Sequence, residues 1–187
     1  MQTSWRLSAS QALSRLSVAP RTDEGPDHPR PLRVALVGIG QELRGDDAAG
    51  VKVARSLLRR QRSRQRADST LDTPALLIVE GGPAPENCTG LIRRFQPDLV
   101  ILVDSAHMEE PAGTIRWLDW KDTTGLSFST HSLPPYMFAQ YLTDECHCAV
   151  ALVGIQPLHT RLGEPPSNPV GRAVRRVTDS LWLLLFP

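Results

Sequence analysis

The sequence predicts an α/β fold: a three-layer α/β/α sandwich around a five-stranded, mostly parallel, twisted sheet with one antiparallel edge strand. Three observations predict it. Apolar runs such as "LRVALVG" (32–38) and "PDLVILVDSAH" (97–107) lack polar alternation, so the strands they form are buried on both faces. Helical patterns separate most of these runs, and strands alternating with helices make a parallel sheet covered on both sides. Between the third and fourth runs only five residues, 108–112, intervene, too few for a helical crossover, so the fourth strand must run antiparallel.

Residues 1–31 precede the first strand. "MQTSWRLSASQALSRLSVAPR" is basic, Ser-rich and free of acids, a composition similar to a transit peptide but without a continuous apolar signal core. "TDEGPDHPRP" then reads as a Pro-rich linker. The expectation is a poorly ordered extension over 1–31 and a domain over 32–187. "LRVALVG" is the first strand. "DDAAGVKVARSLLRRQR" places apolar residues at 49, 53, 54, 57 and 58, one face of a helix. "TPALLIVEGG" (73–82) is the second strand. "APENCTGLIRRFQ" is a helix with Pro85 and Glu86 in its first turn. "PDLVILVDSAH" is the third strand, and "GTIRWLDW" (113–120) alternates as a less buried edge strand would. "SLPPYMFAQYLTDE" (132–145) is a helix with prolines at its start, and "CAVALVGIQP" (148–157) is the fifth strand. "SNPVGRAVRRVTDSLWLLLF" (167–186) is the last helix, with Ser167 or Asn168 as cap and Pro169 in its first turn.

The bulk numbers exclude several classes of function. A formal net charge of +1 over 187 residues argues against a general nucleic-acid or membrane partner. The arginine run "RRQRSRQR" (59–66) has no interleaved aromatics and reads as a solvated helix end. Three cysteines, an odd number without a spaced framework, fit a reducing cytoplasm. The longest late apolar run, "LWLLLF", is far too short to span a membrane. A cytoplasmic monomer is expected.

Sites in such sheets form at the carboxyl ends of the strands. "GIGQELRGDD", "EGGPAPEN" and "DSAHMEEP" follow the first three strands and share that edge. After the antiparallel strand, "KDTTGLSFSTH" must climb back, which brings His131 to the same edge. Cys146, His147 and Cys148 fall at the opposite one. The glycines after the first strand invite a nucleotide. However, a G-x-G-x-x-G fingerprint would need glycine where Leu43 stands, and Asp46 and Asp47 would repel a pyrophosphate. No G-x-S-x-G nucleophile elbow is present, and Cys88 falls in the first turns of a helix. What remains is Asp47 (or Asp46), Asp104 and His131. Two carboxylates and an imidazole suit a divalent first-row metal, with positions left open for substrate. An aspartate at a helix start is also a common N-cap, and one of the Asp46/Asp47 pair is expected to serve so. The "CHC" at 146–148 lacks a second cysteine pair and is read as packing and turn residues.

"VGIGQELRGDDAAG", "EGGPAPEN", "LVDSAHMEEPAGTIRWLD", "STHSLP" and "LVGIQP" stand in the order found in the hydrogenase maturation proteases, which the chain resembles over about residues 32–180. The combination is most similar to the branch acting on formate-hydrogenlyase-type (hydrogenase 3) enzymes. The resemblance implies a five-stranded α/β/α sandwich. It implies a nickel-dependent endopeptidase that trims the C-terminus of a [NiFe]-hydrogenase large-subunit precursor after nickel insertion. It implies that Asp47, rather than Asp46, acts with Asp104 and His131 as the catalytic and metal-contacting set. The nickel would be carried by the substrate precursor, the chain's expected partner. Ala48 departs from the glycine frequent after the acidic pair, and Gln41 and Glu42 depart from the asparagine and small or apolar residue common there; Glu42 is left without an assigned role. A non-catalytic nickel-binding maturation chaperone and a nucleotide-binding α/β module are the rival readings.

Overall fold

The computed structural model describes residues 4–18, 31–67, 75–123, 127–128 and 134–186. Its strands are β1 (Arg33–Ile39), β2 (Ala75–Gly82), β3 (Leu99–His107), β4 (Ile115–Asp119), β5 (Ser127–Phe128) and β6 (Ala149–Ile155). Its helices are α1 (Trp5–Val18), α2 (Ala49–Ala67), α3 (Thr89–Phe95), α4 (Pro135–Cys146) and α5 (Asn168–Leu185). The main sheet has the order β2-β1-β3-β6-β4. β1 pairs in parallel with β2 and β3, and β3 with β6, while β4 runs antiparallel along β6 at the edge. This is the expected five-stranded sheet. The two-residue β5 is an addition: it pairs antiparallel with the end of β3, Ala106 opposite Phe128 and His107 opposite Ser127. The chain has therefore climbed back to the carboxyl edge by residue 127.

Alternate residues of each central strand face opposite layers. Leu36, Ile101, Val103 and Val153 join Ala54 and Leu57 of α2 and Val177 and Leu181 of α5 in one core. Ala35, Val37, Leu102 and Leu152 join Ile92 of α3 and Phe138 and Leu142 of α4 in the other. Both layers are built almost wholly from aliphatic side chains, so register is fixed by burial on the two sides at once. Among the described residues no helix is long and apolar enough to cross a membrane.

The N-terminal expectation needs correction. Residues 5–18 form α1, which lies against β4. Trp5, Ala9 and Leu13, spaced by four, put one face of the helix into the α2/α5 core. The physical reason is the edge strand: β4 has one face toward that core, and α1 covers it. A polar, Ser-rich helix with a narrow apolar stripe gives little periodic signal by itself, and the contact that holds it is tertiary. The linker at 19–30 lies outside the described residues.

The opposite edge is as expected. α4 ends at Cys146, His147 turns the chain at φ 51°, and Cys148 is buried before β6 begins. Burial, and then the neighbouring Cys146, push the Cys148 thiol up to about 12. These are turn and packing residues.

Candidate active site

After β1 the chain crosses to β2 on one side, and β3 lies on the other. The order therefore reverses at β1, and in such sheets the crevice where ligands collect lies outside the carboxyl ends of the strands flanking the reversal, here β1 and β3. Two glycines let the entering loop press into it. Gly40 has φ 129°, and a Cβ there would stand 1.8 Å from the Asp47 carbonyl oxygen. A Cβ on Gly50 would stand 2.0 Å from the Val103 carbonyl oxygen and 2.4 Å from that of Ile39. Only glycine lets the first turn of α2 seat on both strand ends. The sharp turn is a close backbone approach, and the acidic pair rides on it in a 3₁₀ turn, Gly45–Ala48.

Asp47 is buried on this turn. Its carboxylate accepts the Gln41 N–H at 3.0 Å and a long contact from the Ser105 hydroxyl at 3.5 Å. Asp104 is buried one residue beyond the Gly38–Val103 register pair, and accepts the Ser105 N–H at 2.7 Å. Ser105 thus stands between the two carboxylates. Asp47 and Asp104 both border Ser105 at the carboxyl edge of the sheet; His131 lies outside the described residues. Among the described residues no three His, Cys, Asp or Glu side chains gather as a metal-binding group.

Asp46 is not the helix cap it was expected to be. It is fully buried and turned away from α2. Its Oδ1 accepts the Ser167 N–H at 2.6 Å, and its Oδ2 accepts the Leu158 N–H, the His159 N–H and the Ser167 hydroxyl at 2.8, 3.3 and 2.9 Å. Ser167, the expected cap of α5, spends its hydroxyl here rather than on the helix. The 43–46 and 158–167 loops are further knit by Gly45 N–H to Glu164 C=O, Asp46 N–H to His159 C=O and Gly163 N–H to Leu43 C=O. Asp46 is a tether, and what it holds is the wall of the crevice. Three leucines on these two loops, Leu43, Leu158 and Leu162, are more than 60% exposed.

Gln156 was missed as a positioning residue; it appeared only within the "GIQP" string. Its Oε1 accepts the Met108 N–H at 2.7 Å and the Glu110 N–H at 3.4 Å, and its Nε2 donates to the Pro157 carbonyl. Between those two amides Glu109 sits at φ 57°, a left-handed conformation costly for a residue with a Cβ. One buried amide thus pins the strained loop that follows Asp104. A polar residue at the end of an otherwise apolar strand was the available signal.

Glu42 is also accounted for. Arg55 forks onto it and onto Glu80 at the end of β2, the latter at 2.5 Å. The Arg55 hydrogen bond holds the Glu42 carboxyl below its ordinary range. The charge of Glu42 is therefore met by Arg55. His107 is exposed, and His159 contacts Glu164 through Nδ1 at 3.0 Å. Cys88 is half-buried, and burial followed by Glu86 pushes its thiol up, the opposite of an activated nucleophile.

A sequence model of the hydrogenase maturation protease family matches residues 51–182, which include Asp104 and His131 and begin just after Asp47. The hydrogenase 3 maturation protease of Escherichia coli K12 is 27% identical over 147 residues, 78% of this chain and 86% of that protein. Among solved structures, a [NiFe] hydrogenase maturation protease from Thermococcus kodakarensis KOD1 superimposes with a TM-score of 0.70 at 34% identity, covering 83% of this chain and 93% of that one. An endopeptidase from Escherichia coli superimposes with a TM-score of 0.62 at 27% identity, covering 81% and 92%.

Proposed function

The chain belongs to the hydrogenase maturation protease family, and we propose that it is the endopeptidase that removes the C-terminal extension of a [NiFe]-hydrogenase large-subunit precursor after nickel insertion. The observation that carries this reading is the pair of buried carboxylates, Asp47 and Asp104, on either side of Ser105 in the β1/β3 crevice. Among the described residues Asp47 has an amide and a hydroxyl as partners and no cation. A buried carboxylate without a positive partner is costly, and a cation arriving with the substrate offsets that cost.

In this reading the nickel is part of the substrate. Asp47, Asp104 and His131 engage it, and so register the precursor's C-terminal segment against the crevice. Oxygen and imidazole donors bind divalent metals without selecting nickel, because affinity at such sites follows the Irving–Williams order. Selectivity then comes from the precursor's own metal site. The metal supplies either a recognition handle or polarisation of the scissile carbonyl, and a crevice carboxylate can take a proton from the attacking water. The exposed Leu43, Leu158 and Leu162 offer the apolar surface against which the polypeptide lies. All three cysteines are free thiols, in keeping with work as a monomer in a reducing cytoplasm.

The test is incubation with nickel-loaded and metal-free precursor, followed by mass measurement of the precursor's C-terminus. The expected outcome is cleavage of the loaded form alone, unaffected by prior chelator treatment of the protease. Asp47→Ala, Asp104→Ala and His131→Ala should each abolish it while the protein stays folded. Binding of loaded precursor without cleavage would leave a nickel-handling chaperone. Cleavage of metal-free precursor would refute the substrate-borne metal.

A further inference from the structure

The function proposed above leaves the arginine run unused. It lies on α2, and its first residue, Arg59, helps line a cleft of about 370 Å³ between α2 and α5. Lys52, Arg55 and Arg59 follow at spacings of three and four, so they stack along one face of α2. Arg175, Val174 and Gly171 line the cleft from α5, with Ser56 of α2 and Pro166 beside them. Pro166 stands next to Ser167, which Asp46 holds, so the cleft begins beside the crevice loops. Arg55 is paired with Glu42 and Glu80. Lys52, Arg59 and Arg175 make no ion pair among the described residues. A chain of net charge +1 thus gathers here Arg59 and Arg175, unpaired among the described residues, beside Lys52, whose charge also acts on Glu42. The floor is open, since a Cβ on Gly171 would meet nothing within 4 Å.

We propose that this cleft docks an acidic, extended segment of the protein substrate. The proposal rests on the peptidase reading above. Cations held together repel one another, and an acidic partner relieves that repulsion while steering encounter. The cleft's volume suits a few side chains of a peptide. No aromatic side chain lines it, whereas single-stranded nucleic acid calls for successive stacking platforms. The docked segment would lead from the cleft, past Pro166, to the crevice.

The experiment has two arms. In the first, full-length protein is titrated into a fluorescein-labelled decapeptide of alternating Glu and Ser, read by fluorescence anisotropy. Binding is expected at low salt and should weaken about tenfold or more at high salt. The triple variant Lys52→Ala, Arg59→Ala, Arg175→Ala should lose it, and so should Gly171→Glu, which puts a carboxylate into the open floor. Gly171→Ala should keep it, because the methyl fits and alanine favours the helix. Should the triple variant unfold, the Gly171 pair decides alone. Unchanged binding in Gly171→Glu, or tighter binding of a single-stranded DNA probe, overturns the proposal. In the second arm nickel-loaded precursor is the substrate, and the two disabling variants should raise KM about tenfold while kcat is largely kept. Normal processing with unchanged KM overturns the docking role and leaves the peptidase reading standing. If no precursor is cleaved by the parent protein, the peptidase reading falls, and the anisotropy arm still decides what the cleft binds.

Discussion

Asp46 and Asp47 are neighbours in sequence and opposites in role, and replacing each by asparagine separates them. Each Asp46 oxygen faces donors: Ser167 N–H on Oδ1, and Leu158 N–H, His159 N–H and the Ser167 hydroxyl on Oδ2. An amide has one oxygen. In its better orientation the NH2 group replaces Oδ1 and confronts the Ser167 N–H across 2.6 Å. That removes one charge-assisted bond, worth about 1.5–3 kcal/mol, and strands a buried N–H. The bonds to the remaining oxygen fall from charged to neutral, a further loss on the order of 1 kcal/mol in sum. Asp46→Asn should therefore destabilise the protein by about 3 kcal/mol, or roughly 6–12 °C in Tm for a chain of this size. Asp47→Asn keeps its oxygen toward the Gln41 N–H and turns its NH2 toward the Ser105 hydroxyl, which can rotate to accept. Its cost should stay below about 1 kcal/mol, yet processing should stop, since an amide is a poor partner for a cation. Urea unfolding followed by tryptophan fluorescence gives the stabilities, and precursor mass gives the activity. An Asp46→Asn variant within about 1 kcal/mol of the parent would refute the tether. So would an Asp47→Asn variant that is destabilised as much as Asp46→Asn.

Deletion of residues 1–18, or Trp5→Ala alone, should cost about 3 kcal/mol in urea unfolding, the low end for truncating a buried tryptophan, because the loss ends once α1 leaves the sheet. A deletion variant as stable as the parent would show that α1 contributes nothing. The Cys148 thiol titrates near 12 in the fold against 9.0 ordinarily, so the folded state keeps a proton that the unfolded state gives up. Its contribution is complete below pH 9 and is lost as pH rises toward 12; Cys148→Ala should flatten that alkaline decline, and iodoacetamide at pH 8 should label Cys148 slowly. Gln156→Ala should slow processing with little effect on substrate-free secondary structure, by releasing the 108–110 loop beside Asp104; a normal kcat would show that the loop needs no such pin.

The layer order was legible in the chain. β1, β3 and β6 are unbroken aliphatic runs, and such runs are stable only between two covering layers. The seven-residue interval between β3 and β4 forced the antiparallel edge by length alone. The expectation that Asp47 and Asp104 share one edge came from the same reasoning, since strand polarity decides which loops meet there. Tertiary structure decided what no local pattern encodes. Both Asp46 and Asp47 look like helix caps in sequence; which one turns inward depends on the 158–167 loop, more than a hundred residues away. Glu42 read as an unexplained charge because its partner Arg55 is a turn and a half along α2, beside the end of another strand. Gln156 read as one letter of a string because the amides it holds belong to a different loop. Residues 5–18 read as an unstructured extension because a helix of weak propensity and narrow apolar stripe forms only against a surface. Periodicity and chain length fix what a segment must do alone; these four roles exist only where two distant segments meet, and for Asp46 and Gln156 the burial of polar groups makes the meeting obligatory.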